Sequence, residues 1–215
     1  NTFVLGAMSF AVMATLSLSS CTEDEDSVVT GEGQNQPSAT DFTDLLTNQV
    51  NEVIIPTMVT YQNKMTAFVS AVNGLTASID AVNLTATRNA HKEAYLAYQA
   101  VAVHNYYATA NSGLVQNTNL YPVDSTVLNN LVSNRSFNFG TTAQMGANGF
   151  PALDYLLYHA SDGVAYFNAD GNRIDFLSAL VTSMKSKADD LVAQWSGKLK
   201  TNFVSNAGTA LGSSI

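Results

Sequence analysis

The chain has 215 residues with 9 Lys and Arg against 17 Asp and Glu, a formal net charge of −8 at neutral pH. Its charged share of 12% is far below the ~25% of an average soluble protein, and a chain so poor in cations cannot neutralise phosphates, so nucleic acid is excluded as a partner. One Cys excludes a disulfide framework and any Cys-rich metal site, and the length is that of about one domain. The acidity is uneven. Residues 21–38 carry Glu23, Asp24, Glu25, Asp26 and Glu32 and no base, which leaves 12 acids and 9 bases, −3, for the rest. Most of the negative charge therefore belongs to a tail and not to a binding surface.

Residues 1–20 read as a lipoprotein signal peptide. The run 3–18 has no charge and is short against the ~20 residues of a membrane span, but it suits the apolar core of a secretion signal. Leu18-Ser19-Ser20-Cys21 then resembles a bacterial lipobox, in which the Cys is acylated after cleavage. The single thiol of the chain sits where that chemistry needs it, so Cys21 is the expected lipid attachment and the membrane the expected partner. The absence of Met and of a basic leader before the apolar run leads us to expect that the sequence begins inside its signal. Residues 21–38 read as an acidic and polar linker, rich in Gly, Gln and Ser. The expected location is the cell envelope, as an outer-membrane lipoprotein facing the periplasm or the surface.

From residue 39 the pattern is helical. Thr40 or Asp41 can cap a first helix of about ten turns. Its apolar stripe is Val50, Ile54, Thr57, Tyr61, Met65, Phe68, Val72, Leu75 and Ile79, with a kink expected at Pro56 and a break near Gly74. A second, Ala-rich helix is expected over 81–111. Its stripe is Leu84, Arg88, His91, Tyr95, Tyr98, Ala102 and Asn105, and Gly113 ends it. Residues 112–122 read as loop, 124–133 as a short helix capped by Asp124, and 134–148 as irregular. A helix opens near Asn148 with Pro151 in its first turn, where a missing N–H costs nothing, and runs to about His159. After a loop over 161–172, the residues Ile174, Leu177, Val181, Met184, Ala188, Leu191 and Trp195 mark a long amphipathic helix that Gly197 breaks. Residues 198–215 restart helically and stop without a cap. With no alternating apolar run long enough for a strand, the fold class is all-α, an antiparallel helical bundle.

Familiar catalytic motifs are absent: no His-Glu-x-x-His, no phosphate loop, no Gly-x-Ser-x-Gly. Asn168–Asn172 has the look of a calcium loop, but the position of its last ligand is Ala179, so it reads as a turn. His91 and His104 stand 13 residues apart on one helix and point to different faces, so they cannot share a metal.

Several short runs, in their order, resemble the imelysin-like family over about residues 47–215. Glu52-Val-Ile-Ile-Pro56 is similar to the family's opening "IIPTY" run, and Asn119-Leu-Tyr121-Pro122-Val-Asp124 to its "N-x-WP-x-D" loop. Gly149-Phe150-Pro151-Ala152-Leu153-Asp154-Tyr155-Leu156-Leu157-Tyr158 is similar to its "GFHAIEYLLF" signature. His91 and Tyr98 hold the places of two aromatics seven residues apart on the second helix, and Trp195 and Phe203 match further on. The resemblance implies an exported bacterial protein, often a lipoprotein, linked to iron acquisition and carrying a peptidase label. It also implies two bundles, the first over 39–197 and the start of a second, cut off, over 198–215.

The departures bear on activity. The family's Gly-x-His-x-x-Glu motif puts two ligands on one helix face. Here the equivalents are Gly149, Pro151 and Asp154, so the imidazole is gone and the acid is one methylene shorter. Gln99 and Ala102 stand where a second-helix carboxylate is often found. One Asp falls short of the three protein ligands of a catalytic zinc. Two readings of the motif stay open. In one, Asn148, Pro151 and Asp154 merely start a helix. In the other, Asp154 with Tyr98, Tyr121 and His91 forms a ligand pocket that has lost its metal.

Three functions follow. The expected one is a lipid-anchored, non-catalytic binding protein, taking a small ligand or metal in iron or haem uptake, with an envelope protein as a further partner. The second is a metallopeptidase of the imelysin type, which needs His91 or His104 to join Asp154. The third is a structural or interaction module at the cell surface. No cofactor and no catalytic residue is assigned, and iron or another divalent metal is left open by the resemblance alone.

Overall fold

A computed structural model of the chain describes residues 39–105 and 114–206. The signal peptide, Cys21, the linker and Gly113 lie outside these residues. Every regular element among them is helical. In chain order the α-helices are α1 (Ala39–Gln49), α2 (Ile55–Ala77), α3 (Ala81–Ala102), α4 (Leu114–Thr118), α5 (Ser125–Asn134), α6 (Gly149–Tyr158), α7 (Gly163–Ala169), α8 (Gly171–Trp195) and α9 (Lys198–Ser205), and the stretch 134–148, expected to be irregular, holds a 3-10 helix, Thr142–Ala147. None is long and apolar enough to cross a membrane among the described residues.

The expected first helix is two helices joined by a π-helical turn, Val50–Ile54. The cause is local. Pro56 has no N–H to give the preceding turn, and its ring crowds the carbonyl four residues back. The backbone widens instead, and the Ile55 N–H bonds Val50 O. A π turn takes more residues per revolution, so the next inward position falls one residue late. Met58, not Thr57, is buried, and Tyr61, Met65, Phe68, Val72 and Leu75 follow in phase. Gly74 does not break α2, which runs on to Ala77. The first helix opens at Ala39.

Ser78–Asp80 turns the chain sharply, and Asp80 caps α3 by accepting from the Asn83 N–H at 2.8 Å. The hairpin is antiparallel. Lys64 meets Glu93 at 3.0 Å, while further along α2 the Ala71 carbonyl accepts from Thr87 back towards the start of α3. The third long helix, α8, also runs against α2. Gln62 donates to Asp189 at 2.7 Å, and beyond them Lys200 of α9 donates to Asn51 at 2.7 Å. The seven residues expected to mark α8 are all buried. Trp195 packs edge-on against Phe203 with ring centroids 5.6 Å apart, which ties α9 to the same core. Each such fully buried apolar side chain contributes about 1.5–3 kcal/mol over an exposed one.

Three expectations are corrected. α3 ends at Ala102, not near 111: the His104 and Asn105 N–H groups fall back on Val101 O and Ala102 O, tightening the chain into a turn. The 112–122 segment holds α4, and the 161–172 segment holds α7. Asp162 caps α7. The residues with the look of a calcium loop serve a helix instead: Asp170 caps α8 by accepting from the Asn172 N–H at 3.0 Å.

Candidate functional site

The residues singled out from the sequence meet where the start of α6 lies across the middle of α3. The start of α6 also lies close against the end of α4, which depends on Gly149, whose φ is +72° and whose absent Cβ would stand 2.2 Å from Thr118 O. Asn148, buried, caps α6 by accepting from the Gly149 N–H at 2.7 Å and donates to Phe139 O at 3.1 Å. Pro151 is buried in the first turn of the helix. Phe150 is fully buried, and its ring centroid lies 5.8 Å from His91, 4.8 Å from Tyr95 and 5.3 Å from Tyr98. The interior between α6 and α3 is thus filled by an aromatic ring, and the polar groups collect at its outer edge.

The other end of α6 is also fixed to α3. Arg88 donates from Nε and one terminal nitrogen to Leu157 O, at 2.9 and 2.6 Å. Carbonyls in a last helical turn lack intrahelical partners and sit at the negative pole of the helix, so a guanidinium there satisfies both needs. Its charge also lies 5.2 Å from the Tyr158 ring centre.

Between these two anchors, His91 Nε2 faces Asp154 Oδ1 at 3.4 Å, and Tyr121 Oη donates to Asp154 Oδ2 at 2.8 Å. His91 Nδ1 lies 3.4 Å from Tyr158 Oη, which is also 3.2 Å from Arg88 O. The His91 side chain is 4% exposed, whereas the Asp154 side chain is 40% exposed, so the pair joins the core to the surface. The His91–Asp154 contact is electrostatic and not a hydrogen bond, since Nε2 has no hydrogen-bond partner among the described residues.

Burial holds the His91 ring below its ordinary pKa, and the Asp154 charge opposes that only in part. The neutral ring therefore prevails at neutral pH, and its single proton has two homes. On Nε2 it points at Asp154 and leaves Nδ1 to accept from Tyr158. On Nδ1 it points at Tyr158, whose own proton then serves Arg88 O. Burial, followed by hydrogen bonds with Asp154 and Tyr95, pushes the Tyr121 phenol far above its usual range, so it stays a donor. Burial together with the neighbouring Tyr95 pushes the Tyr98 hydroxyl up to about 12.

The structure thus brings together three of the four expected ligand residues, His91, Asp154 and Tyr121. Tyr98 lies beneath them, 1% exposed, with its ring against Tyr61 at 5.9 Å. Tyr95, Tyr158 and Arg88 also belong to the cluster. His91, Tyr95 and Tyr98 follow the i, i+4, i+7 spacing of one face, so that spacing was the available signal for Tyr95. Nothing in the sequence marks Tyr158, whose place depends on how α6 docks. His104 lies beyond the last residue of α3, in the turn that follows it, and does not join.

The donor set does not fit a resident catalytic metal. It offers one imidazole, one carboxylate and phenols held protonated, and among the described residues no three His, Cys, Asp or Glu side chains converge. What the arrangement can do is present a carboxylate, a phenol O–H and a buried imidazole to a ligand arriving from the surface.

The fold finds a counterpart among known proteins. The chain resembles the crystal structure of a protein from Parabacteroides distasonis described as a "putative iron-regulated protein A precursor", with a TM-score of 0.68 and 15% identity over 85% of this chain. That alignment spans only 55% of the other chain. No curated protein matches. The family model for imelysin matches residues 54–214, about three quarters of the sequence, and the chain belongs to the imelysin family.

Proposed function

We propose that this chain is a lipid-anchored, non-catalytic binding protein of the bacterial cell envelope that takes part in iron acquisition. Its membership of the imelysin family and its likeness to a protein described as iron-regulated support the link to iron. The lone Cys21 after an apolar run supports the anchor.

The observation that carries the non-catalytic reading is the exchange at α6. Where the family motif has an imidazole, Pro151 is buried and offers no donor atom. The acid of the motif, Asp154, is engaged by the Tyr121 hydroxyl and faces the poorly satisfied His91. Such a lip suits a ligand held by hydrogen bonds and one carboxylate contact, and it lacks the three-ligand cage a hydrolytic zinc requires.

The test is calorimetric titration of the full chain with ferric citrate, zinc chloride and haem, repeated on Asp154→Ala. The expected result is saturable binding of ferric citrate or haem, weakened about tenfold or more by the loss of the carboxylate. Binding unaffected by Asp154→Ala, or stoichiometric zinc together with peptide hydrolysis, would overturn the proposal.

A further inference from the structure

A second site lies away from α6, on the flank of α8. Lys187, Asp190, Leu191 and Gln194 stand at i, i+3, i+4 and i+7, so they form one stripe of that helix. With Leu114 and Asn117 of α4 they line a cavity of about 140 Å³. A water needs roughly 10–15 Å³ of such space, so the cavity has room for a molecule of about ten heavy atoms.

The lysine is the anomaly. Its neighbour Lys185 pairs with Asp189, the residue four positions on, at 2.6 Å. Lys187 has Leu191 at that position. Its Nζ is buried and has no hydrogen-bond partner among the described residues. Asp190 shares the wall of the cavity but forms no ion pair with it. A surface lysine ordinarily extends its ammonium into water, and a buried one without a counter-charge is costly. Burial holds this amine below its ordinary pKa, as expected of a cation lacking its anion.

We infer that the cavity between α4 and α8 binds a small aliphatic carboxylate, its anionic end on Lys187 Nζ and its hydrocarbon against Leu114 and Leu191. The monoanion is favoured because Asp190 repels a second negative charge, which disfavours phosphate. Gln194 is an amide able to hydrogen-bond the second carboxylate oxygen. The site is separate from the α3–α6 cluster and does not rest on the function proposed for it.

The test titrates the full chain with isovalerate and, separately, with inorganic phosphate. Calorimetry follows binding, and the carbon-13 shift of the Lys187 ε-carbon follows ionisation. One saturable isovalerate site is expected, weakened about tenfold or more in Lys187→Met. The methionine removes a buried charge and is one heavy atom shorter than the lysine, so this variant is expected to fold. In the wild type the Lys187 amine should titrate at higher pH once isovalerate is bound. No saturable binding, equal binding to Lys187→Met, tighter binding of phosphate, or an unmoved lysine titration would each overturn the inference.

Discussion

Replacing Arg88 by Met isolates the contact that holds the end of α6 on α3. The change removes two charge-assisted hydrogen bonds to Leu157 O, at 2.9 and 2.6 Å, and a cation 5.2 Å from the centre of the Tyr158 ring. A hydrogen bond from a charged group contributes roughly 1.5–3 kcal/mol, a cation over a half-exposed ring about 0.5–1, and a charge at a helix terminus about 0.3–1. These overlap, because one guanidinium makes all three, and the methionine stem keeps the packing of the arginine stem. The expected net loss is about 2–3 kcal/mol. For a unit of this size that lowers Tm by roughly 4–10 °C, read by calorimetry or by far-ultraviolet circular dichroism. Arg88→Lys keeps the charge but not the two-pronged geometry, so it should recover about half of the loss. An Arg88→Met variant that melts with the wild type, or a lysine no better than the methionine, would refute the role assigned to this residue.

Three further outcomes are expected. Gly149→Ala combines a positive φ with a backbone clash against Thr118 O, and should cost about 2–4 kcal/mol in chemical denaturation; a loss below ~1 would mean that α6 can shift freely. The buried His91 and His104 both have lowered pKa values, so below the unfolded value near 6.5 the unfolded chain binds more protons than the native one. Stability should therefore be full above that pH and decline as pH falls through it, and His91→Phe should shallow the decline; denaturant midpoints that do not change between pH 8 and 5 contradict this. Trp195→Ala empties the contact with Phe203 and should cost about 3–5 kcal/mol by the same measurement, with retention of wild-type stability as the contrary result.

The sequence made the long helices plain and the two shortest invisible. In α8 seven apolar residues at steps of three and four all face inward, since a run of 25 residues averages out local exceptions. α4 and α7 have only 5 and 7 residues, too few for a period to register, and they pass for loop. The Thr57 misplacement has one cause, a proline whose effect on the turn count is not written in the hydrophobic pattern. α3 overran for want of a glycine before Gly113 to stop it.

The site was half legible for a related reason. The spacing that puts His91 and Tyr98 on one face is a property of a single helix, and capping by Asn148 and Asp124 is local chemistry. That His91 would meet Asp154, and that Tyr121 would reach over to the same carboxylate, depends on how three separate segments dock. Arg88 and Tyr158 gain their roles only from that docking.

The two halves of the His91–Asp154 pair are carried by elements of unequal endurance. The imidazole rides on a helix of 22 residues packed along its length, whereas the carboxylate rides on one of 10 and Tyr121 on the connection before α5. Short segments held by a few caps exchange their amide protons through local excursions that leave the long helices closed. Each such excursion carries the acid and the phenol away from the ring while the scaffold stays intact. The imidazole would then be bared and covered many times within the lifetime of one folded molecule, so hydrogen exchange in α6 should be faster than in α3 and should slow when the lip is occupied.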